Sequence, residues 1–570
     1  MKLDLVAGLI WATLLRHSEG KPASPRAEEC LCLPGDACWP SQNTWSALNS
    51  TVNGKLVATV PIGSPCHDPT FDGDACENLK AQWLNPLTHI PSSHSVMQSY
   101  FANQTCSPFT DRSTPCTLGN YVSYSVKATS HQDIIAALSF ARANKIRVLV
   151  RNTGHDFLGR STGAGALAIW TQDLKNISFG TWSDKYYSGP TVTVGAGVIG
   201  YEVLEAANKQ GLTVVSGECA TVGLAGGFTQ GGGHSALSTQ FGLAADQTLS
   251  FDVVTARGDI VTASPTENAD LYWALSGGGG GTYGVVVSMT VRAYTAKPVG
   301  GAVMQLLAGS TTPEKFAAAV SAFHALMPAM IDAGAMVVFL QNTQYLVLKP
   351  VTVWDSNATY VKDVVLAPFA KALVDLGITP PIAYSTLSYR DHYDKYMGPL
   401  PRGSFEVNRY QFGGRLIPRD VAVNKNKELV TVYNELTAAG VLLAGSSADY
   451  SKRAGPENAV LPAWRSTITQ LQMITNWNST APWVDMEAAQ KKMTEEFMPK
   501  IEAVTPGSGS YMNEADFRQE RWQDVFFGKN FKKLDDVKRK YDPENVFYIL
   551  KGVGSDRWSV AKDGRMCRKP

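Results

Sequence analysis

Three glycine-rich stretches carry side chains able to do chemistry. RNTGHDFLGR (151–160) places His155 between Gly154 and Asp156, directly after the apolar run 146–150. SGECATVG (216–223) holds Cys219, and GLAGGFTQGGGH (223–234) ends on His234. A third loop, 276–284, contains SGGGGG. Glycine lets a backbone approach a ligand closely and turn its N–H groups toward phosphate. A diphosphate needs several such donors from more than one loop. One cluster alone would read as a tight turn between packed strands. Three clusters, each beside a strand end, favour an extended cofactor with a pyrophosphate centre, such as FAD.

The literal G-x-G-x-x-G lies elsewhere, as GAGVIG at 195–200, after a strand and before a helix. Glu218 follows 21 residues past its second glycine, where a ribose-binding acid would stand. A nicotinamide dehydrogenase is therefore a rival reading. The motif's position deep in the chain, and the denser glycine loops it leaves unexplained, weigh against it.

The elements around these loops alternate. Ser130 caps a helix through Asn144, with Ile134, Ile135, Leu138 and Ala141 on one face. Strands are expected at 147–150, 191–194 and 212–215, and a helix at 201–210 ended by Gly211. Runs 249–255 and 260–263 form a hairpin around Arg257-Gly258, and 285–291 is a buried strand. Beyond residue 300 the pattern changes. Helices at 313–326, 358–376 and 420–439 alternate with strands at 336–340, 345–353 and 407–412. A second α+β domain is expected there.

At 570 residues the chain exceeds one hydrophobic core. A net charge of +1 gives no electrostatic reason to bind nucleic acid or an acidic membrane. Residues 1–20 read as a signal peptide: Lys2, an apolar stretch 5–15 too short to span a bilayer, then Ser18 and Gly20. Seven of nine cysteines fall before residue 120, as expected for a disulfide-stapled segment of a secreted protein. Cys567 is free to pair with one of them, and Cys219 stands alone in mid-chain. Sequons at Asn49, Asn103, Asn176, Asn357 and Asn478 agree with secretion. No metal set is expected, since His89 and His94 lack partners at ligand spacing.

These motifs together resemble the berberine bridge enzyme-like FAD-linked oxidoreductases of the vanillyl alcohol oxidase/p-cresol methylhydroxylase superfamily, in their fungal isoamyl alcohol oxidase-like branch. The likeness covers 115–300 and 505–555, with GGRLIPR (413–419) and NAVLPAWR (458–465) between. It implies an α+β protein with a two-domain FAD-binding PCMH-type fold and a separate α+β substrate domain. The implied division is signal peptide 1–20, cysteine-rich region 21–114, FAD-binding domain 115–300, substrate domain 301–505 and a berberine-bridge-type segment 506–555 completing the flavin site.

The resemblance implies a bicovalent FAD. His155 matches the histidine of R-x-x-G-H-D that bonds the 8α carbon, and Cys219 the cysteine that bonds C6. CATVG departs from the family's C-P-T-V-G at Ala220. Thr153, Gly154, Asp156, Gly159, Ser161, Gly223, Gly227, Gly231, Gly232, Gly278, Gly284 and Asn513 are the expected cofactor-binding residues. Tyr511 in SYMNEAD, His234 and Tyr450 in ADYSKR are the candidates for catalysis, Tyr511 as a base if a nearby cation or the flavin lowers its pKa. The implied activity is hydride transfer from a small-molecule alcohol, amine or activated C–H to FAD, with molecular oxygen as acceptor, by a secreted monomer of secondary metabolism. A secreted flavin-fold binding protein without turnover is the non-enzymatic rival.

Overall fold

The computed structural model describes residues 29–103, 105–453 and 455–569. The expected signal peptide, residues 1–20, lies outside them. Strands β1 (Leu56–Ala58), β2 (Tyr124–Lys127), β3 (Val148–Arg151) and β4 (Leu167–Trp170) form one sheet, in the order β1-β2-β4-β3. β2 and β3 run parallel to β4. The parallel arrangement requires a crossover, and the helix His131–Ala143 supplies it. Its start is set by a capping box. The Asp133 backbone N–H donates to Ser130 Oγ at 3.3 Å, and the Ser130 N–H to Asp133 Oδ2 at 3.1 Å. Ile134, Ala137, Leu138 and Ala141 recur at helical spacing and are buried. Ile135, expected on that face, is only half-buried.

A second, antiparallel sheet contains β5 (Ile177–Ser183), β6 (Ser188–Gly195), β8 (Thr248–Val254), β9 (Ile260–Ala263) and β10 (Val285–Arg292), in the order β5-β6-β10-β8-β9. The expected hairpin at Arg257-Gly258 is β8–β9. Two short strands, β7 (Leu212–Thr213) and β11 (Tyr294–Thr295), pair with each other. This topology removes the nicotinamide reading of GAGVIG. β6 has only antiparallel neighbours, and the helix Gly200–Lys209 leads to β7 instead of a parallel strand. The glycines have another use. A Cβ on Gly195 would stand 2.2 Å from the Leu174 carbonyl oxygen, and one on Gly197 2.2 Å from that of Gln172.

The third sheet is antiparallel, with seven strands: β12 (Val299–Leu307), β13 (Ala335–Gln341), β14 (Tyr345–Trp354), β15 (Ile382–Leu387), β16 (Tyr410–Pro418), β17 (Leu442–Ser447) and β18 (Thr467–Asn476). Their order is β15-β12-β14-β13-β17-β18-β16. Helices Pro313–Asp332, Ala367–Asp375 and Asn426–Ala438 bury one face of it. The strand period of two sends alternate residues to opposite faces. Val337, Phe339, Leu443, Leu471 and Met473 join the core under the helices. Val338, Leu340, Leu442, Ala444, Gln472 and Ile474 line a cavity on the other face.

Several boundaries differ from expectation. The helix from Pro313 continues through Pro328 to Asp332. The expected helix 358–376 is interrupted by a π-helical turn, Val361–Val365, and the expected 420–439 breaks at Lys425. The strand expected at 407–412 is shifted to 410–418, because GGRLIP pairs with β18 instead of turning.

Four disulfides join Cys30–Cys567, Cys32–Cys38, Cys66–Cys76 and Cys106–Cys116, leaving Cys219 free. The tail returns to the site through a buried ion pair. Lys538 Nζ, fully buried, donates to Asp542 Oδ2 at 2.6 Å and to the carbonyls of Thr282 and Phe547 at 2.8 Å. Asp542 also accepts from the N–H groups of Val546 and Phe547. Thr282 belongs to the third glycine loop, and Phe547 bridges to Val148 of β3. Asp542→Ala would leave a buried ammonium without its counter-charge. We expect it to destabilise the protein by about 3–5 kcal/mol in denaturant unfolding, and expect the apolar pair Lys538→Met/Asp542→Leu to cost less than the single change.

Candidate active site

A cavity of about 590 Å³ is lined by the third sheet, by Val150 of β3 and Val286 of β10, and by the glycine loops and the tail. Of the residues expected from sequence, Thr153, Gly154, His155, Asp156, Ser161, Cys219, Gly223, Gly227, His234, Gly284, Tyr511 and Asn513 line it. Gly159, Gly231, Gly232, Gly278 and Tyr450 do not. Tyr450 is fully buried and its hydroxyl donates to the Ser446 carbonyl at 2.8 Å.

The His155 turn follows β3 directly. Gly154 takes φ +88°, a conformation that L side chains resist. Asp156 Oδ1 accepts from the N–H groups of Leu158 (2.9 Å) and Arg160 (2.7 Å), which fixes the turn. His155 Nε2 is hydrogen-bonded to Thr221 Oγ1 at 2.8 Å. Burial drives the imidazole pKa down to about 3, helped by His89 and Arg151, so the ring is neutral near pH 7. Cys219 Sγ lies 3.5 Å from the same Thr221 hydroxyl. Burial raises the thiol's pKa, with Glu514 and Glu218 acting in the same direction against hydrogen bonds from Thr221. One hydroxyl thus touches both proposed anchors.

Two carboxylates that sequence reasoning had not placed in the site flank His234. Its Nε2 lies 3.0 Å from Glu514 Oε2, and its Nδ1 3.8 Å from Glu218 Oε1. Burial alone would lower the imidazole pKa, but the contact with Glu514 and the field of Glu218 outweigh it and hold His234 at about 9. Glu514 also accepts from Gln472 Nε2 at 2.7 Å. Burial raises the pKa of Glu218, as Glu514 also does, against the lowering effect of His234. Around Tyr511 the protein's own groups oppose one another: burial and Glu514 push its pKa up, while Asn513 and Arg160 favour the phenolate. Its hydroxyl accepts from Asn513 Nδ2 at 2.8 Å. The missed signal for Glu514 was its place next to Asn513. Glu218 had been weighed only as a ribose ligand.

The cavity fits an extended polar cofactor. Asn152 Oδ1, Gln230 Oε1 and Arg160 Nη2 line it, buried, with no hydrogen-bond partner among the described residues. A Cβ on Gly226 would find no atom nearer than 3.6 Å, and one on Gly227 none nearer than 3.9 Å, so both glycines leave room where they line the cavity. The guanidinium of Arg160 donates to the carbonyls of Leu550 and Met512 and has no carboxylate ion pair among the described residues, which suits an anionic diphosphate. These residues fit FAD.

Comparison with known proteins agrees in class. The VAO-type flavoprotein MtVAO615 from Myceliophthora thermophila C1 superposes with a TM-score of 0.91 and 40% identity, over 95% of this chain and 100% of that one. The FAD binding domain family matches residues 122–264, and the family described as berberine and berberine like matches 510–554. The FAD-linked oxidoreductase ZEB1 of Gibberella zeae is 51% identical over 551 residues, covering 96% of each chain. A glucooligosaccharide oxidase from Acremonium strictum, described with a 6-S-cysteinyl, 8α-N1-histidyl FAD, shares the fold at 21% identity with a TM-score of 0.63, over 76% of this chain and 92% of that one. The fold is that of a VAO-type flavoprotein. The chain belongs to the FAD-linked oxidoreductases and is an FAD-dependent oxidoreductase.

His234 gives a testable pH dependence. Its folded pKa, about 9, lies above the unfolded value of about 6.5. Its stabilising contribution is therefore complete below pH 6.5 and lost as pH rises through 9. The wild-type melting temperature should fall between pH 6.5 and 9.5. His234→Asn should lack that fall and should be less stable at pH 6.5.

Proposed function

We propose that this protein is a secreted, monomeric oxidase with FAD attached at two points, through His155 and Cys219. The observation that carries this reading is the shared contact of both side chains with Thr221 at one wall of the cavity. The neutral His155 ring has a nucleophilic lone pair, and the free thiol stands in register with it. The histidyl and cysteinyl linkage described for the Acremonium oxidase supports the same assignment. The division into an FAD-binding domain at 115–300, a substrate domain at 301–505 and a closing tail at 506–555 belongs to this proposal. So does glycosylation at Asn49, Asn103, Asn176, Asn357 and Asn478, none of which is buried. Four disulfides agree with an oxidising compartment. No helix among the described residues is long and apolar enough to cross a membrane.

Bound FAD supplies a two-electron acceptor. The chain's own residues do the rest. Gly223, Gly227 and Gly284 give the backbone close approach, and Arg160 gives charge. The third sheet presents Val338, Leu340, Leu442, Ala444 and Ile474 across the cavity. Phe157 stacks on Phe412 with centroids 3.9 Å apart and extends the apolar wall. Such a face excludes water and suits a largely apolar small molecule, with an alcohol, amine or activated C–H presented to the cofactor. Molecular oxygen is the proposed final acceptor, and a secondary metabolite the proposed substrate.

Peptide mapping by mass spectrometry tests the attachment. Flavin mass should appear on the peptides carrying His155 and Cys219. His155→Ala and Cys219→Ala should each keep one link and stay yellow after acid precipitation, and the double variant should precipitate colourless. Wild-type protein that releases intact FAD on denaturation sinks the bicovalent reading.

A further inference from the structure

Oxidation of an alcohol to a carbonyl removes a hydride from carbon and a proton from oxygen, and the proton needs a protein acceptor. The acceptor must line the cavity and carry a free lone pair at rest. Tyr511 is an O–H donor whose oxygen already accepts from Asn513. His234 is protonated, so neither ring nitrogen has a lone pair to offer. Both oxygens of Glu514 face His234 Nε2, and Oε2 also accepts from Gln472. Tyr450 is outside the cavity lining and donates to a backbone carbonyl. Among the carboxylates that line the cavity, Asp156 accepts from the N–H groups of Leu158 and Arg160, Glu406 from Arg409, and Glu514 from His234 and Gln472, whereas Glu218 Oε1 is buried with no hydrogen-bond partner among the described residues. Glu218 directly precedes Cys219, so it is carried by the same loop as the proposed anchor.

We propose that Glu218 is the catalytic base that takes the substrate's O–H proton. The inference rests on the FAD-oxidase reading above. The balance is simple. The alcohol gives a hydride to the cofactor and a proton to the Glu218 carboxylate, becoming a carbonyl compound. The two electrons, the hydride's hydrogen and the Glu218 proton then pass to molecular oxygen, giving hydrogen peroxide and restoring the carboxylate. His234, between Glu218 and Glu514, is a positioning residue: its charge keeps two carboxylates tolerable in one buried space.

The groups facing Glu218 set the pH dependence. His234 and Glu514 are its charged neighbours, the Ser446 hydroxyl opposes the rise in its pKa, and Cys219, Tyr389, Tyr393 and Tyr450 lie within its field with their acidic protons held by burial. Since the pKa of Glu218 is raised, its basic form is lost as pH falls from a point above the ordinary carboxylate range. The test compares holoenzyme with Glu218→Gln and Tyr511→Phe. In the absence of substrate, the wild-type flavin absorbance should show an acid transition on titration from pH 8 to pH 4. Glu218→Gln should lack it and Tyr511→Phe should keep it. Under anaerobic conditions 1-phenylethanol should bleach the Glu218→Gln flavin at least about 100-fold more slowly than the wild type, with the flavin content of both proteins equal by mass. An unchanged acid transition in Glu218→Gln, or bleaching at the wild-type rate, overturns the assignment. A wild type without flavin overturns the underlying reading instead.

Discussion

One hydroxyl organises this site. Thr221 stands in contact with its near neighbour Cys219 and, 66 residues away in sequence, with His155. The contact exists because β3 and the Gly223 loop approach the same space, with Asn152 packed against Gly223. A Cβ at Gly223 would lie 2.1 Å from Asn152 Nδ2. Two side chains that could have been an ordinary turn histidine and a small buried hydrophobe instead face one cavity.

Charge in the cavity is arranged with the same economy. Three titratable groups, Glu218, His234 and Glu514, come from two loops and the returning tail. Burying two carboxylates and an imidazole separately would be costly, but the imidazolium between them offsets much of that cost. The tail contributes Glu514, Tyr511 and Asn513 only because it is held down elsewhere. The Lys538–Asp542 pair fastens it to the third glycine loop, and Cys30–Cys567 ties the end of the chain to its beginning. The site is a junction of segments far apart in sequence, so its integrity depends on anchors distant from the chemistry.

The third sheet shows how one pattern serves two purposes. Alternate residues of β13, β17 and β18 face either the helices or the cavity. The helix-facing set is apolar, while the cavity-facing set mixes Val338, Leu340, Leu442, Ala444 and Ile474 with Ser446 and Gln472. β17 and β18 carry glycine, serine, threonine and glutamine among their apolar residues, which dilutes the strand pattern, and β16 starts later than expected because its paired residues include two glycines.

Local chemistry was legible in the sequence. The helix cap at Ser130, the hairpin at Arg257-Gly258, the crowded N-terminal cysteines and the glycine loops around His155 and Cys219 are short-range features, fixed by backbone sterics and spacing. GAGVIG passes the same local tests over a similar span, and strand pairing removes it: an antiparallel neighbour leaves no crossover in which a dinucleotide could sit. The carboxylates were illegible for the same reason. A glutamate's role depends on what it faces, and Glu218 meets His234 and Glu514 only after two loops and a tail have packed. Sequence determined which groups could react. Tertiary structure decided which of them meet, since burial and proximity, and with them protonation, are properties of the folded chain.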